Sequence, residues 1–204
     1  TLERVERVEP GEPHTVVTES GEYESAAVIV ATGSSDGHLD VPGEEEYAGR
    51  GIFYCATCDG PLYRDERIAV VGGGNHAAID AVFLTEYASE VLLVAPGDEL
   101  AADETLAEEA RAHEDVEIRT GTTVTEVLGE DGLVTGIRVE SDDGEETIEL
   151  GGVNVNTGYR ANSAFLEGTV SLDEDGRVVV GPAMETDVEG IFAAGDVGQG
   201  SPME

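Results

Sequence analysis

The 204-residue chain has no lysine: its ten basic residues are all arginine, against 45 acids, for a formal net charge of −35. Such a balance offers no basic patch to neutralise phosphates, which excludes a nucleic-acid-binding surface. Long apolar runs are missing too. The longest, Ala26–Ala31 and Val91–Ala95, have the length of buried strands and fall far short of the roughly 18 residues of a membrane span. No charged-then-apolar signal segment opens the chain, which therefore reads as soluble and cytoplasmic, with no membrane partner. Cysteine is scarce, with two residues, too few for a disulfide scaffold. The four histidines, His14, His38, His76 and His113, are scattered, so no zinc knuckle and no other metal site is expected.

What replaces the missing bases is acid, in runs such as Glu44-Glu45-Glu46 and Asp142-Asp143-Gly144-Glu145-Glu146. A disordered acidic protein would lack the periodic apolar strands present here. A dedicated partner for basic proteins is a second reading. Adaptation to molar salt is the better one: there the Debye length falls to about 3 Å and self-repulsion is screened.

Along the chain, residues 1–25 alternate polar and apolar with turn signals at Pro10-Gly11 and Ser20-Gly21, which suits a hairpin or meander. Residues 26–33 form a short buried strand ending in a glycine turn. Ser34 to Gly51 reads as a linker with a small helix. Ile68–Val71 is the next buried strand, followed by a helix from Asn75 to about Tyr87 and a parallel-type strand at Val91–Ala95. Asp103 is a good N-cap for a helix running to about His113. Residues 116–120, 124–128, 134–140 and 147–150 read as antiparallel strands with glycine turns between them. Residues 151–158 look like another buried strand and a turn, and 178–180 and 191–194 like short strands. Strand, glycine turn, helix and strand make a βαβ unit, so the fold class is α/β.

Two motifs carry chemistry. Gly72-Gly73-Gly74-Asn75-His76-Ala77 fits a dinucleotide turn between strand and helix. Gly72 permits the tight turn, Gly74 lets backbone approach a pyrophosphate, and the helix start supplies free N–H groups. Fourteen residues upstream of that turn ends Cys55-Ala56-Thr57-Cys58, a redox-type pair whose reactive species is the thiolate. Asp59 adjoins the second cysteine and could shuttle a proton, or serve as a turn residue before Gly60-Pro61. At the end of the second strand, where arginines hold the extra phosphate of NADP, this chain has Ala95-Pro96-Gly97-Asp98-Glu99. NADPH selection by the usual arginine clamp is disfavoured; Asp98 or Glu99 serves NADH or is a solvated loop acid.

Together with Ala31-Thr32-Gly33, Gly158-Tyr159-Arg160-Ala161-Asn162 and Ile191-Phe192-Ala193-Ala194-Gly195-Asp196, these motifs resemble, in order and spacing, the low-molecular-weight thioredoxin reductase family. The resemblance covers essentially the whole chain. It implies a Rossmann-like NAD(P)-binding domain over 37–157, with an antiparallel β insertion and the cysteine pair. Flanking it, 1–36 and 158–204 would be parts of a second Rossmann-like domain that binds FAD. Cys58 would face the flavin, Cys55 would attack a thioredoxin-like protein, and Asp59 would be the acid–base group. Gly72, Gly73, Gly74, Asn75 and His76 would hold NAD(P)H, and Gly33, Gly195 and Asp196 the FAD. Hinges near Ser34–Gly37 and Thr157–Gly158, and a homodimer, are further implications.

The departures from the family are also informative. No G-x-G-x-x-G precedes Ala26, the helix that follows Gly195-Asp196 is missing, and Ala161 stands where a proline is usual. A fragment that binds FAD poorly is the resulting expectation. The function expected is a flavin-dependent disulfide reductase, fed by NADH, by NADPH held differently, or by ferredoxin. A peroxiredoxin reductase and a non-catalytic redox-responsive dinucleotide-binding protein are the alternatives.

Overall fold

Strands buried on both faces have no room for polar alternation, and Ile68–Val71 and Val91–Val94 are buried at every position. The structure, a computed structural model, describes residues 2–200. They fall into two units: residues 2–35 with 159–200, and Asp36–Gly158.

The chain begins with an antiparallel meander, β1 (Val5–Glu9), β2 (His14–Thr18) and β3 (Gly21–Ser25). Two short strands follow, β4 (Val28–Val30) and β5 (Ser34–Asp36). The second unit opens with helix α1 (Glu44–Tyr47), strand β6 (Ile52–Phe53) and helix α2 (Ala56–Asp59). Strand β7 (Arg67–Val71), helix α3 (Asn75–Leu84) and strand β8 (Glu90–Val94) are the expected βαβ unit. Helix α4 (Glu104–Ala112) then leads into β9 (Val116–Arg119). An antiparallel meander of β10 (Thr123–Glu130), β11 (Leu133–Ser141) and β12 (Gly144–Glu149) precedes β13 (Gly152–Val155). Beyond it, β14 (Tyr159–Ala161) pairs with β5, and β15 (Ile191–Ala193) runs parallel to β4.

The five-stranded sheet has the order β6-β13-β7-β8-β9 and is parallel throughout. The chain steps outward from β7 through two helical crossovers, then returns as β13 on the other side of β7. Reversal of strand order at β7/β13 creates the crevice where doubly wound sheets bind ligands. Period-two alternation sorts the side chains onto two faces. Ala69, Val71, Leu92, Val94, Val153 and Val155 pack on the β10–β12 meander through Val127, Val134, Ile137 and Ile148. Ile68, Val70, Val91 and Leu93 pack on the helices through Ala77, Ala81, Leu84 and Ala107. The alanines let α3 sit close to the sheet.

Three sequence expectations need correction. The strand at Val116–Arg119 is parallel, not antiparallel, because α4 is a crossover helix that carries the chain back to the same end of the sheet. The helix expected to run to Tyr87 ends at Leu84, where Thr85 caps it and its hydroxyl bonds Val82 O. Residues 178–180 form no strand: Val178 makes only isolated bridges, to Leu172 and Gly198, before Gly181-Pro182 turns the chain. Asp103 does cap α4, but its side chain makes no capping bond, being held by Asn75 instead.

Ile68 is fully buried in the central strand beneath the helices. Ile68→Ala is expected to cost about 2–5 kcal/mol, read as a lowered denaturant midpoint at unchanged slope.

Candidate active site

Both redox sulfurs sit where β6 leaves the sheet. Cys55 is the N-cap residue of α2, and it forms a disulfide with Cys58, with Cα atoms 5.3 Å apart. Cys55 Sγ accepts the Cys58 N–H at 3.2 Å and lies 3.5 Å from the Thr57 hydroxyl. Cys55 is half-buried and Cys58 exposed. Asp59, half-buried, donates its N–H to Cys55 O at 3.0 Å. The following turn, Gly60–Tyr63, is anchored by Tyr63 stacked on Phe53 with centroids 4.5 Å apart.

One buried acid fastens this segment from behind. Glu44 Oε1 accepts from Leu39 N (3.0 Å) and the Tyr54 hydroxyl (2.9 Å), and Oε2 from Asp40 N (2.7 Å). His38 Nδ1 is 3.1 Å from both Glu44 and Tyr54. Burial pushes the Glu44 carboxyl up, but these donors outweigh it and hold it below the usual range. Burial first, and then Glu44 itself, push the Tyr54 phenol well above its ordinary value. Glu44 thus ties residues 38–40 to the residue just before Cys55.

The glycine turn leaves β7 at the same end of the sheet. Phe53 pairs with Asn154 and Asn154 with Val70. Cys55, Asn156 and Gly72 therefore emerge from three adjacent parallel strands, with about 10 Å between the outer two. Gly72 has φ +155°, and a Cβ there would stand 2.1 Å from Asn156 O. Gly73 packs on Ala95, and in front of Gly74 no atom lies within 4 Å. Helix α3 starts at that open backbone with no side-chain cap and no acid in its first turn. Open glycine backbone ahead of uncapped N–H groups fits a dinucleotide pyrophosphate. Asn75 is turned sideways: its amide donates to Asp103 Oδ2 (3.1 Å) and its Oδ1 accepts from Asp103 N (2.7 Å). His76 is half-buried on the same turn.

Beneath the turn runs a polar row that sequence reasoning missed. Asn156 Nδ2 donates to Asp80 Oδ2 (2.7 Å) and to Asn154 Oδ1 (2.5 Å); fully buried Asn154 donates to Phe53 O (3.4 Å). The row connects α3 through β13 to β6, the strand that leads into the cysteines. Its only sequence signal is the amide alternation in Val153-Asn154-Val155-Asn156, at the end of an otherwise apolar strand. Burial raises the Asp80 carboxyl, against the opposing pull of Asn156 and His76.

Gly33, Gly195 and Asp196 lie in the other unit. Because β4 and β15 are parallel neighbours, Gly33 and Gly195 follow adjacent strand ends. Each has positive φ, and a Cβ added at either would meet no atom within 4 Å. Asn162, the last residue of the Gly158–Asn162 motif, braces the first turn: its N–H donates to Gly33 O (2.9 Å) and its amide to Thr32 O (3.0 Å). The fit of FAD here rests on these two open turns. Among the described residues, no cluster of three or more His, Cys, Asp or Glu could hold a metal, and no helix is long and apolar enough to cross a membrane.

The Cys55–Cys58 disulfide and the open glycine turn at Gly72–Gly74 leave the same end of one parallel sheet. The pyridine nucleotide-disulphide oxidoreductase family matches residues 1–204, and the chain belongs to it. A thioredoxin reductase of Mycolicibacterium smegmatis is 42% identical over 200 residues, 96% of this chain and 64% of its own length. An alkyl hydroperoxide reductase polypeptide of Xanthomonas campestris pv. phaseoli is 42% identical over 174 residues, 84% of this chain and 33% of its own. The crystal structure of Lactococcus lactis thioredoxin reductase matches with a TM-score of 0.83 at 32% identity, over 97% of this chain and 66% of that one. The chain thus spans less than two thirds of the length of these relatives.

The buried Glu44 and the half-buried Asp80 predict opposite pH responses. Glu44 has a depressed folded value, so it stabilises the fold above its unfolded value, and that contribution is lost as pH falls through the folded one. Glu44→Gln is expected to destabilise the protein at pH 7 by about 1–3 kcal/mol, with the gap to wild type closing in acid. Asp80 has a raised folded value, so its contribution is present below its unfolded value and lost as pH rises through the folded one. Asp80→Asn should equal or exceed wild-type stability at pH 7, and lose that margin below about pH 4. Denaturant titrations across pH measure both.

Proposed function

We propose that the chain is the disulfide-bearing part of a flavin-dependent disulfide reductase. The reading is carried by one observation: the Cys55–Cys58 disulfide and the dinucleotide turn leave the same end of one parallel sheet. In this reading Asp36–Gly158 binds the pyridine nucleotide and the other unit contributes to FAD binding. Bound FAD would supply two-electron transfer from the nucleotide to a disulfide.

The chain's own residues then act as follows. Two electrons and two protons open the Cys55–Cys58 bond to two thiols. Cys55 is the attacking sulfur, because the Cys58 N–H and the Thr57 hydroxyl both point to it and stabilise a thiolate. Its thiolate attacks a disulfide of a thioredoxin-like protein, forming a mixed disulfide and releasing one partner thiolate. Cys58 then attacks Cys55 Sγ, which re-forms the intramolecular bond and releases the second. Asp59, next to Cys58, serves as the group that passes protons to and from the sulfurs.

Hinges near Ser34–Gly37 and Thr157–Gly158 belong to this reading, and Gly37–His38 adjoins Thr157–Gly158 within the Asp36–Gly158 unit. Gly37 donates to Gly158 O at 2.6 Å, and the Thr157 hydroxyl donates to His38 O at 3.3 Å. The charge of −35 supports a cytoplasm of high ionic strength as the setting. A second reading, electron delivery to a hydroperoxide-reducing partner, is supported by the equal 42% identity to an alkyl hydroperoxide reductase polypeptide.

The test is stopped-flow spectroscopy of the full-length flavoprotein, chemically reduced with dithionite in molar salt and mixed with oxidised thioredoxin or peroxiredoxin. Cys58→Ser should slow partner reduction by about a thousandfold or more while leaving flavin reduction intact. Wild-type rates in the variant would refute the relay, and the faster of the two partners decides between the readings.

A further inference from the structure

We infer that the dinucleotide turn of this chain selects against a ribose 2′-phosphate, so that its nucleotide donor is NADH and not NADPH. The inference rests on the reading of Gly72–Asn75 as a pyridine-nucleotide site and names the substrate that site takes.

In a doubly wound fold the adenosine ribose lies at the end of the second strand, where an acid accepts the 2′-hydroxyl or an arginine meets the 2′-phosphate. Here that strand is β8, followed by Ala95, Pro96, Gly97, Asp98 and Glu99. The loop is held in place. Ala95 N donates to Arg119 O, Thr122 N to Ala95 O and Gly121 N to Gly97 O, at 2.9, 3.0 and 2.7 Å. At its far end, Asp103 is clasped reciprocally by Asn75 from the first turn of α3. Gly73, in the turn itself, would put a Cβ 3.4 Å from Ala95 Cβ and 3.9 Å from Ala101 N. The loop is thus a fixed wall of the nucleotide site.

That wall carries no cation. No arginine or lysine occurs between Arg67 and Arg111. Asp98, Glu99, Asp103 and Glu104 are all exposed on or beside the loop. The arginines of neighbouring elements have partners. Arg67 pairs with Glu90 and Glu117, Arg119 with Glu117 and Glu146, and Arg111 with Glu104. A 2′-hydroxyl can donate to the carboxylate of Asp98 or Glu99. A 2′-phosphate is an acceptor of nearly two negative charges and finds only like charge there.

Equilibrium titration of the oxidised full-length flavoprotein with NAD+ and with NADP+, in 1 M KCl, reads this without turnover. NAD+ is expected to bind about tenfold or more tightly than NADP+. In the double variant Asp98→Arg, Glu99→Gln the ratio should narrow or invert, mainly through tighter NADP+. Equal or tighter binding of NADP+ by the wild type overturns the inference, and so does failure of both nucleotides to bind. Partner reduction by dithionite-reduced flavin reports on the disulfide relay separately, so the donor inference can fail while that relay stands.

Discussion

The parallel register of β13 between β6 and β7 is the constraint on which the rest depends. Hydrogen bonding of Val153 to its neighbours on both sides puts the carboxyl ends of three strands in line. One of these ends carries Cys55, one Asn156 and one Gly72. Had β13 been antiparallel, its outgoing end would lie at the opposite edge, and the polar row from Asp80 to Phe53 could not form. Parallel pairing demands burial on both faces. The α3–α4 layer and the β10–β12 meander supply it, so the antiparallel insertion is a structural half of the site's support.

Within that frame, two kinds of buried or half-buried polar group do different work. Glu44 is an anion whose donors are backbone and phenol, and its net effect is to fix residues 38–40 and Tyr54 in place. Asp80, Asn156 and Asn154 are a chain of amides ending in a carboxyl that burial disfavours as an anion. A satisfied network of the first kind rigidifies. The second kind leaves one titratable end beside an open crevice. That difference follows from the partners: N–H and O–H donors around Glu44, a single amide on Asp80.

Much of this was legible in the sequence, and for physical reasons. Gly72 and Gly74 announce themselves because only glycine tolerates the approach to Asn156 O and leaves backbone open. The runs Ile68–Val71 and Val91–Ala95 show buried strands directly. What escaped reading was long-range. Two-residue β6 is too short for any periodicity. The direction of β9 depends on α4 acting as a crossover, and the strand's own pattern is the same in either direction. Asn154 looks like a blemish in a valine strand until Phe53, 101 residues away, provides its acceptor. Glu44 sits in a run of three acids, and nothing local distinguishes the buried one from Glu45 and Glu46.

If the proposed function holds, a chain this acidic that receives an anionic nucleotide faces a local problem that salt screening only partly solves. At molar salt the screening length is about 3 Å, which silences distant carboxylates but not those in contact with the ligand. The distribution of acids along the helices fits that limit. Helix α1 carries three acids in its first turn and α4 carries Glu104, while the first turn of α3 carries none. Asn75 occupies the first position of that turn and turns its amide toward Asp103, holding that carboxylate to α4. In the proposed reading, no acid stands in the first turn of α3 where the pyrophosphate would lie, while Asp98 and Glu99 stand exposed where the ribose would. On that reading, acid is absent where a charge would be bound and present where a hydroxyl would suffice.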